Sequence, residues 1–315
     1  MSALLELSGV SKGFPRSGPW GRREEPLWAV RDVDLQVGPG ETVGLVGESG
    51  CGKSTLARTA LRLLEPDAGA VRFAGEDITR AGRQALRSAR RHMQIVFQDP
   101  FASLDPRMRV GRIVEEGLKV HGLGDRASRR RRVAEVLERC GLGPEAAGKF
   151  PHQFSGGQRQ RIGIARALAM EPRLIVCDEP ISALDVSIQA QILNLLGDLQ
   201  RDMGLAYLFI SHDLRVVRHL CDRVCVMYGG RMVEAGPAET LFEQPAHPYT
   251  RGLLAALPGI QRQRAERIPA AATRQHEGEC PFYARCPEAE PACARWAFQT
   301  YDAGRGRDVA CRRAV

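Results

Sequence analysis

The stretch GESGCGKS, residues 47–54, has the residue types that a phosphate-binding loop needs. Its glycines let consecutive backbone N–H groups wrap phosphate oxygens, and the helix that follows directs its positive end at them. Lys53 is expected to reach the β- and γ-phosphates, and Ser54 to offer its hydroxyl to Mg²⁺. A plain glycine turn would not explain Lys-Ser here. The residues assigned to nucleotide contact are Gly47, Glu48, Ser49, Gly50, Cys51, Gly52, Lys53, Ser54 and Thr55.

Two carboxylates follow a buried strand in LIVCDEP, residues 174–180. Asp178 is placed at the carboxyl end of the strand, where it can hold Mg²⁺ directly or through water. Glu179 is one residue further on and can aim at a water on the γ-phosphate, as a general base does. Asp-Glu most often marks a solvated strand end. The functional interpretation is favoured here because a phosphate loop precedes the pair in the same chain.

A second helix start suited to an anion is found in QFSGGQRQRIGIARALAM, residues 153–170. Ser155 is a good N-cap, so simple capping is the plain interpretation. Gly156 and Gly157 beside it cost helix stability, but they let the backbone approach an anion closely. One chain is therefore expected to carry two helix N-termini that suit phosphate.

The composition is that of a globular protein, but it does not identify a binding partner. The chain has 315 residues, 43% hydrophobic and 26% charged, with a formal net charge of +8, as expected of a globular protein able to bury a full core. The positive balance suits nucleic acid, a membrane surface or a phosphate ligand alike. The arginine run at residues 129–132 reads as the solvated face of an amphipathic helix rather than as a nucleic-acid patch.

The sequence has no signal-peptide pattern at its start and no apolar run of the ~18 residues that span a bilayer. The chain is therefore expected to be cytoplasmic unless a partner holds it at a membrane. Disulfides are disfavoured in that compartment. Five of the nine cysteines are scattered through apparent helices and strands and are interpreted as small core residues: Cys51, Cys140, Cys177, Cys221 and Cys225.

The elements that must position these residues follow from the hydrophobic pattern. Two strands, at about 4–10 and 28–37, are predicted on either side of a Pro- and Gly-rich loop at 15–26. Residues 101–170 read as helical. Short apolar strands then alternate with helices, a pattern typical of a parallel sheet covered on both faces. Residues 259–279 are polar and aperiodic and are interpreted as a linker.

FSGGQ, LIVCDEP, SALD and SHD, all downstream of the phosphate loop, resemble the ATP-binding-cassette (ABC) ATPases over roughly residues 1–235. The resemblance implies an α/β P-loop NTPase that binds and hydrolyses ATP with Mg²⁺. Its ATPase domain, residues 1–258, would have a RecA-like parallel-sheet core, an antiparallel β subdomain and a helical subdomain at about 101–170. In this family two cassettes pack head to tail, and the signature of one closes on the nucleotide of the other.

The resemblance also implies roles for single residues. Gln98 resembles the glutamine that contacts Mg²⁺ or water and couples to the membrane partner, and His212 the histidine that grips the γ-phosphate. Asp185 resembles the aspartate that communicates across the dimer, and Phe14 the aromatic residue that stacks on adenine. The signature residues assigned to the opposite nucleotide are Ser155, Gly156, Gly157 and Gln158.

The segments FQDPFASLDPRMRVGRIVEEGL, PISALDVSIQAQILNLLGDLQ and HPYTRGLLAALPG resemble the ATPase subunits of oligopeptide/dipeptide-type importers, a group that includes nickel and glutathione importers. This resemblance implies a second, related ATPase, two membrane permeases and an extracytoplasmic solute-binding protein. It places the chain on the cytoplasmic face of the inner membrane, without nucleic acid. Residues 99–112 would line the groove for a permease coupling helix. The alternatives are a soluble ABC ATPase acting on nucleic acid or ribosomes, and an exporter ATPase of the same fold.

The tail, residues 280–315, carries four cysteines with the spacing C-x₅-C-x₆-C-x₁₇-C: Cys280, Cys286, Cys293 and Cys311. By spacing alone zinc ranks first, an iron–sulfur cluster second, and free thiols or disulfides after them. Arg285 and Arg295 are expected to offset the negative charge of a thiolate cluster. The importer resemblance reorders the ranking to a [4Fe–4S] cluster with Zn²⁺ as the alternative, and a structural staple is favoured over electron transfer.

Overall fold

The structure is a computed structural model, and it describes residues 3–17, 23–256 and 280–314. The linker predicted at 259–279 lies outside the described residues. In the described part of the chain, no helix combines the length and the apolar character that crossing a membrane requires.

The strands are numbered β1 to β12 along the chain. Their bounds are β1 (Leu5–Ser17), β2 (Arg23–Val37), β3 (Thr42–Val46), β4 (Ala68–Phe73), β5 (Glu76–Asp77), β6 (Met93–Val96), β7 (Leu174–Asp178), β8 (Ala206–Ile210), β9 (Arg223–Tyr228), β10 (Arg231–Pro237), β11 (Tyr301–Asp302) and β12 (Asp308–Val309).

The helices are numbered α1 to α10 in the same way. Their bounds are α1 (Lys53–Ala60), α2 (Arg83–His92), α3 (Pro100–Ser103), α4 (Val110–Val120), α5 (Arg126–Arg139), α6 (Gly156–Leu168), α7 (Val186–Met203), α8 (Leu214–Leu220), α9 (Ala238–Glu243) and α10 (Pro248–Ala255). Single 3₁₀ turns in the tail span Tyr283–Arg285, Pro291–Arg295 and Arg312–Ala314.

Two compact units make up the chain. The first consists of Met1–Val37, Thr42–Thr79 and Ser211–Val315, and the second of Gly38–Glu41 and Arg80–Ile210.

The first unit contains an antiparallel sheet in the order β2-β1-β4-β5. Leu7 of β1 stands opposite Leu35 of β2, and both side chains are buried, as strands with one face on a core require. The prediction of a loop from 15 to 26 is wrong at both ends. β1 continues to Ser17 and β2 begins at Arg23, because the two strands keep pairing, as Arg16 does with Glu24.

The first unit also contains five strands paired in the order β11-β12-β10-β9-β3. β3 runs parallel to β9, and β9 turns back antiparallel into β10 through Gly229 and Gly230, both with positive φ. β12, from the cysteine tail, adds to the other side of β10, with Glu234 opposite Val309. The tail is thus built into the edge of this sheet.

The second unit contains three parallel strands in the order β8-β7-β6. Every residue of β7 and β8 is buried, which confirms the parallel sheet predicted from strands without polar alternation. The helices α3 to α6 occupy residues 100–168, so the predicted helical segment is confirmed. In α5 the apolar residues Val133, Val136 and Leu137 are buried, in agreement with a solvated arginine face.

The five scattered cysteines are all buried, as predicted for core residues. Burial raises the pKa of the Cys140 thiol to about 12, against a smaller lowering by the charge of Arg161. Such a thiol stays protonated and unreactive at neutral pH.

Candidate functional site

The phosphate-type loop joins the buried strand β3 to helix α1, as the sequence predicts. Gly47 has φ +154, and a Cβ there would be 2.2 Å from the Met227 carbonyl oxygen. Gly52, the residue before α1, has φ +107, and a Cβ would be 2.0 Å from the Ala29 carbonyl oxygen. Both positions therefore require glycine, because the loop lies directly against neighbouring backbone.

Lys53 is 5% exposed, and its ammonium group is held within the loop. Its Nζ donates to the carbonyl oxygens of Gly47 at 2.8 Å and of Glu48 at 2.9 Å. The positive charge is thus fixed beside the first turn of α1, whose N-terminal N–H groups attract anions.

Two residues far along the sequence hold Glu48 of this loop. The Glu48 backbone N–H donates to the hydroxyl oxygen of Tyr249 at 2.9 Å. Its carboxylate accepts two hydrogen bonds from the Arg285 guanidinium, Nη1 to Oε2 at 2.7 Å and Nη2 to Oε1 at 3.0 Å. The Glu48 side chain therefore points to the cysteine tail, and its pairing with Arg285 is bidentate.

The second unit presents the two carboxylates at the end of β7. Asp178 is 3% exposed. Glu179 has φ +48, a left-handed conformation uncommon for a residue with a Cβ. Its carbonyl oxygen accepts from the N–H and the hydroxyl of Ser182, and its own N–H donates to Ile210. Surrounding backbone therefore holds the strained residue in place, an arrangement common at functional sites.

Gln98 and Glu179 are brought together in the second unit. The Gln98 side-chain amide donates to Glu179 Oε2 at 3.1 Å. Gln98 lies two residues beyond β6, so adjacent parallel strands place the two side chains at one sheet edge.

The SGGQ segment begins helix α6 with a capping box. Ser155 Oγ accepts from the Gln158 N–H at 3.3 Å, and the Gln158 side chain accepts from the Ser155 N–H at 3.0 Å. The predicted N-cap is confirmed. Ile188 packs so closely on Gly157 that a Cβ there would be 2.4 Å from it. Glycine at this position therefore lets the start of α6 pack closely against α7.

Asp185 is the exposed residue that begins α7, and the next residue, Val186, is 81% exposed. His212, in the first unit, is exposed immediately before Asp213, which caps α8 by accepting from the Arg215 N–H. Phe14, also in the first unit, is 39% exposed and pairs across the strands with Leu27, which is 50% exposed. This apolar pair suits stacking with a flat ring.

The four tail cysteines line one small cavity, together with His247 and Trp296. The cavity volume is about 20 Å³, roughly the room for one water molecule. Burial, with a smaller contribution from the neighbouring Cys311, Cys286 and Cys293, raises the pKa of the Cys280 thiol to about 11. In residues 3–17, 23–256 and 280–314, however, no group of three or more His, Cys, Asp or Glu side chains is arranged to hold a metal ion.

The expectation that Arg285 offsets a thiolate cluster needs correction, because its guanidinium is paired with Glu48 in the phosphate-type loop. Hydrogen bonds to Glu48 raise the pKa of Arg285 above its ordinary value. The sequence predicted neither the contact of Arg285 with Glu48 nor that of Tyr249. The signal for Tyr249 was present in HPYT, residues 247–250, which served only as a mark of resemblance.

An aromatic cluster joins the tail to the rest of the first unit. Phe282 is 1% exposed, and its ring centroid lies 5.1 Å from Tyr228 and 5.4 Å from Tyr249. His247, the N-cap of α10, accepts the Tyr249 backbone N–H at its side-chain Nδ1, and its own backbone N–H donates to the Glu234 carboxylate. Burial, and to a lesser extent the charge of Arg251, lowers the pKa of His247 to about 3.

Two family profiles match the chain. The profile described as "ABC transporter" matches residues 30–182, and "Oligopeptide/dipeptide transporter, C-terminal region" matches residues 233–293. The chain is 48% identical over 319 residues to the oligopeptide transport ATP-binding protein AppF of Bacillus subtilis (strain 168), across 98% of this chain and 96% of that protein.

The chain is also similar to solved structures of the same fold. The chain matches cbiO1 from Clostridium perfringens, part of the ABC transporter complex cbiONQ, with a TM-score of 0.68 and 28% identity, covering 78% of this chain and 92% of cbiO1. It matches the dimeric ATP-binding cassette MJ0796, in a post-hydrolysis state bound to ADP and Pi, with a TM-score of 0.66 and 31% identity. That match covers 74% of this chain and 98% of MJ0796.

Proposed function

The chain belongs to the ABC transporter ATP-binding proteins of the oligopeptide/dipeptide type, and from that premise we propose that it is the ATP-binding and ATP-hydrolysing subunit of a peptide importer. The observation that carries the proposal is the match to AppF along almost the whole chain, including the C-terminal region typical of these transporters. A soluble ABC ATPase acting on nucleic acid, or an exporter subunit, would not account for that region.

For nucleotide binding, we assign the phosphates to the loop at 47–54 and the adenine to Phe14. Lys53 would stabilise the charge of the β- and γ-phosphates. Ser54, Asp178 and Gln98 would hold Mg²⁺, which supplies further charge neutralisation at the phosphates when bound. The buried position of Lys53 and Asp178 supports these roles, because a water-poor site strengthens charge interactions.

For hydrolysis, we assign Glu179 as the general base. The carboxylate takes a proton from a water whose oxygen attacks the γ-phosphorus, and the bond from that phosphorus to the β–γ bridging oxygen breaks to leave ADP and phosphate. The hydrogen bond from Gln98 orients the carboxylate, and His212 would contact the γ-phosphate. The left-handed conformation of Glu179 supports this role, since residues so strained cluster at functional sites.

The working form in this proposal is an ATP sandwich of two related cassettes. Ser155, Gly156, Gly157 and Gln158 would contact the γ-phosphate bound by the partner, and Asp185 would communicate across the interface. Both Asp185 and the neighbouring Val186 are exposed, so they are accessible to such a partner.

We propose two membrane permeases as further partners, on the cytoplasmic face of the inner membrane. Phe101, 64% exposed, supports a docking surface within residues 99–112. Arg109 and Arg112 of the same stretch also line a cavity of about 530 Å³. The solute would be chosen by the permeases and an extracytoplasmic binding protein, and the importers of this type carry oligopeptides, dipeptides, nickel or glutathione.

We propose that Cys280, Cys286, Cys293 and Cys311 hold a [4Fe–4S] cluster, with Zn²⁺ as the alternative. The donor set fits either, since both are bound by four thiolates. All four line one cavity, which supports the proposal, but they must move to reach ligand positions. When bound, the metal centre would cross-link the tail. Iron, sulfide and zinc analysis of anaerobically purified protein decides between the two, and absence of all three contradicts both.

The function is tested with Glu179→Gln in the full chain. The amide cannot accept the proton, so we expect ATP affinity close to wild type, turnover lower by about 10²-fold or more, and accumulation of an ATP-bound dimer in size-exclusion chromatography. Glu171→Gln, an exposed glutamate elsewhere in the second unit, is the matched control. Turnover near wild type in Glu179→Gln would contradict the base assignment.

Partner identity is tested by purification from membranes. Co-purification with two permeases supports the importer. Tight, salt-sensitive binding to nucleic acid without a membrane partner would favour the soluble alternative.

A further inference from the structure

We propose that Arg285 is a positioning residue for the phosphate-binding loop, through which the cysteine tail sets the affinity of the loop for nucleotide. This inference rests on the function proposed above. It concerns a contact between two parts of the first unit that are 237 residues apart in the chain, Glu48 and Arg285.

Arg285 and Glu48 form a bidentate ion pair. Arg285 Nη1 and Nη2 bind the two carboxylate oxygens of Glu48, so the plane of the guanidinium fixes the orientation of the carboxylate as well as its distance. The Arg285 side chain is 9% exposed and Glu48 is 41% exposed. The pair is therefore sheltered mainly on the tail side, where Arg285 also lies over the Tyr228 ring at 5.6 Å and donates to its hydroxyl oxygen.

Glu48 helps to hold the Lys53 ammonium group in the loop. It is the residue directly after Gly47, and its carbonyl oxygen is one of the two that accept from Lys53 Nζ. Its backbone N–H is held by Tyr249. Arg285 and Tyr249 thus fix the side chain and the backbone of one residue, and that residue in turn holds the ammonium group proposed to bind phosphate.

Arg285 lies on a short turn between two of the tail cysteines. Arg285 is the last residue of the 3₁₀ turn Tyr283–Arg285, which lies between Cys280 and Cys286. The Tyr283 N–H donates to Cys280 O, and the Cys286 N–H donates to Tyr283 O. A displacement of either cysteine therefore moves the backbone that carries Arg285. Phe282 fastens the other side of the turn. The Arg285 side chain therefore transmits that displacement to Glu48.

A second ion pair joins the tail to the rest of the first unit, and it provides a matched control. Arg251 of α10 donates to Glu288 at 2.9 Å, and these side chains are 43% and 32% exposed. Arg251→Gln removes an arginine–carboxylate pair to the tail without touching the loop, whereas Arg285→Gln removes the pair to Glu48.

The experiment measures the Kd of the full chain for Mg²⁺-ATP by calorimetry, and the KM and kcat of hydrolysis. For Arg285→Gln we expect Kd and KM to rise about fivefold, the size of effect measured for a partly exposed ion pair. We expect kcat to stay within about twofold, since Arg285 contacts no reacting atom. Arg285→Lys, which keeps the charge, should recover part of the affinity, and Arg251→Gln should leave Kd unchanged.

Coupling to the cysteines is tested with Cys286→Ser alone and in the Arg285→Gln background. If the tail acts through Arg285, Cys286→Ser raises the ATP Kd in the wild-type background and adds nothing in Arg285→Gln. Equal effects in both backgrounds, or none in either, would overturn the inference, as would an unchanged Kd in Arg285→Gln. A wild-type protein that binds no ATP would instead refute the proposed function, so the two failures are distinguishable.

Discussion

At the scale of single residues, Glu179 combines a left-handed backbone with a hydrogen bond from Gln98. The conformation costs about 1–2 kcal/mol for a residue with a Cβ. The fold retains it because backbone bonds to Ile210 and Ser182 fix the residue on both sides. Strain is thus kept at the residue proposed to take the proton.

Lys53 gives a prediction at the same scale. Replacing it with alanine removes the only side chain of the loop whose ammonium group is fixed between two loop carbonyl oxygens. We expect Lys53→Ala to weaken ATP binding by at least about tenfold, the loss of a charge-assisted contact. Calorimetric titration measures it, with Lys119→Ala, an exposed lysine on α4, as control. Unchanged affinity would count against the assigned role.

At the scale of elements, the capping box that begins α6 allows stability and function to be separated. Ser155→Ala removes the acceptor for the Gln158 N–H. We expect a loss of about 1 kcal/mol in the free energy of unfolding, read from urea titration.

Ser155→Asn is the matched variant, because asparagine caps as well as serine. It should restore stability while hydrolysis stays impaired if the hydroxyl contacts the partner's nucleotide. Recovery of both would show that Ser155 acts only as a cap.

Helix α10 should respond to pH through His247. The pKa of His247 is about 3 in the fold and 6.5 without its environment. Below pH 6.5 the unfolded chain binds a proton that the folded chain does not, so the free energy of unfolding falls as pH falls from 6.5 towards 3. The loss by pH 5 is about 2 kcal/mol.

The titratable and charged groups near His247 are Glu234, Tyr249 and Arg251, together with the four tail cysteines that line the same cavity. The pH effect of His247 is isolated by comparing urea unfolding of wild type and His247→Asn at pH 7 and pH 5. Asparagine can accept the Tyr249 N–H but does not titrate. The same pH dependence in both proteins would refute this prediction.

The sequence predicts those parts of the fold and site that depend on local patterns. Buried strands, the glycines of the loop, the cap at Ser155 and the solvated arginines of α5 all follow from residues close together in the chain. The pairing of Glu48 with Arg285 does not, because it depends on how residues far apart meet in the folded unit. For the same reason, cysteine spacing suggested a ligand set but not its arrangement.

At the scale of the whole molecule, the comparisons establish the ABC cassette and the peptide-importer type. Phe282 is the buried aromatic anchor of the tail, beside the β12–β10 pairing and the ion pairs described above. Phe282→Ala removes a ring packed on Tyr228, Tyr249 and His247, and such losses cost about 3–5 kcal/mol. We therefore expect the tail to detach, with faster hydrogen–deuterium exchange at the turn Tyr283–Arg285.

Phe298→Ala is the matched control, because Phe298 is another tail phenylalanine and is less buried than Phe282. It should leave exchange at Tyr283–Arg285 unchanged. Equal exchange in wild type and Phe282→Ala would show that other contacts hold the tail.

Strand β12 lies along β10, with Glu234 opposite Val309 and Ala235 opposite Asp308. Without the tail, β10 would present unpaired N–H and C=O groups, and such edges recruit strands from other molecules. A protein shortened before residue 280 is therefore expected to aggregate at high concentration. Through this pairing, the tail would protect the solubility of the ATPase independently of any metal.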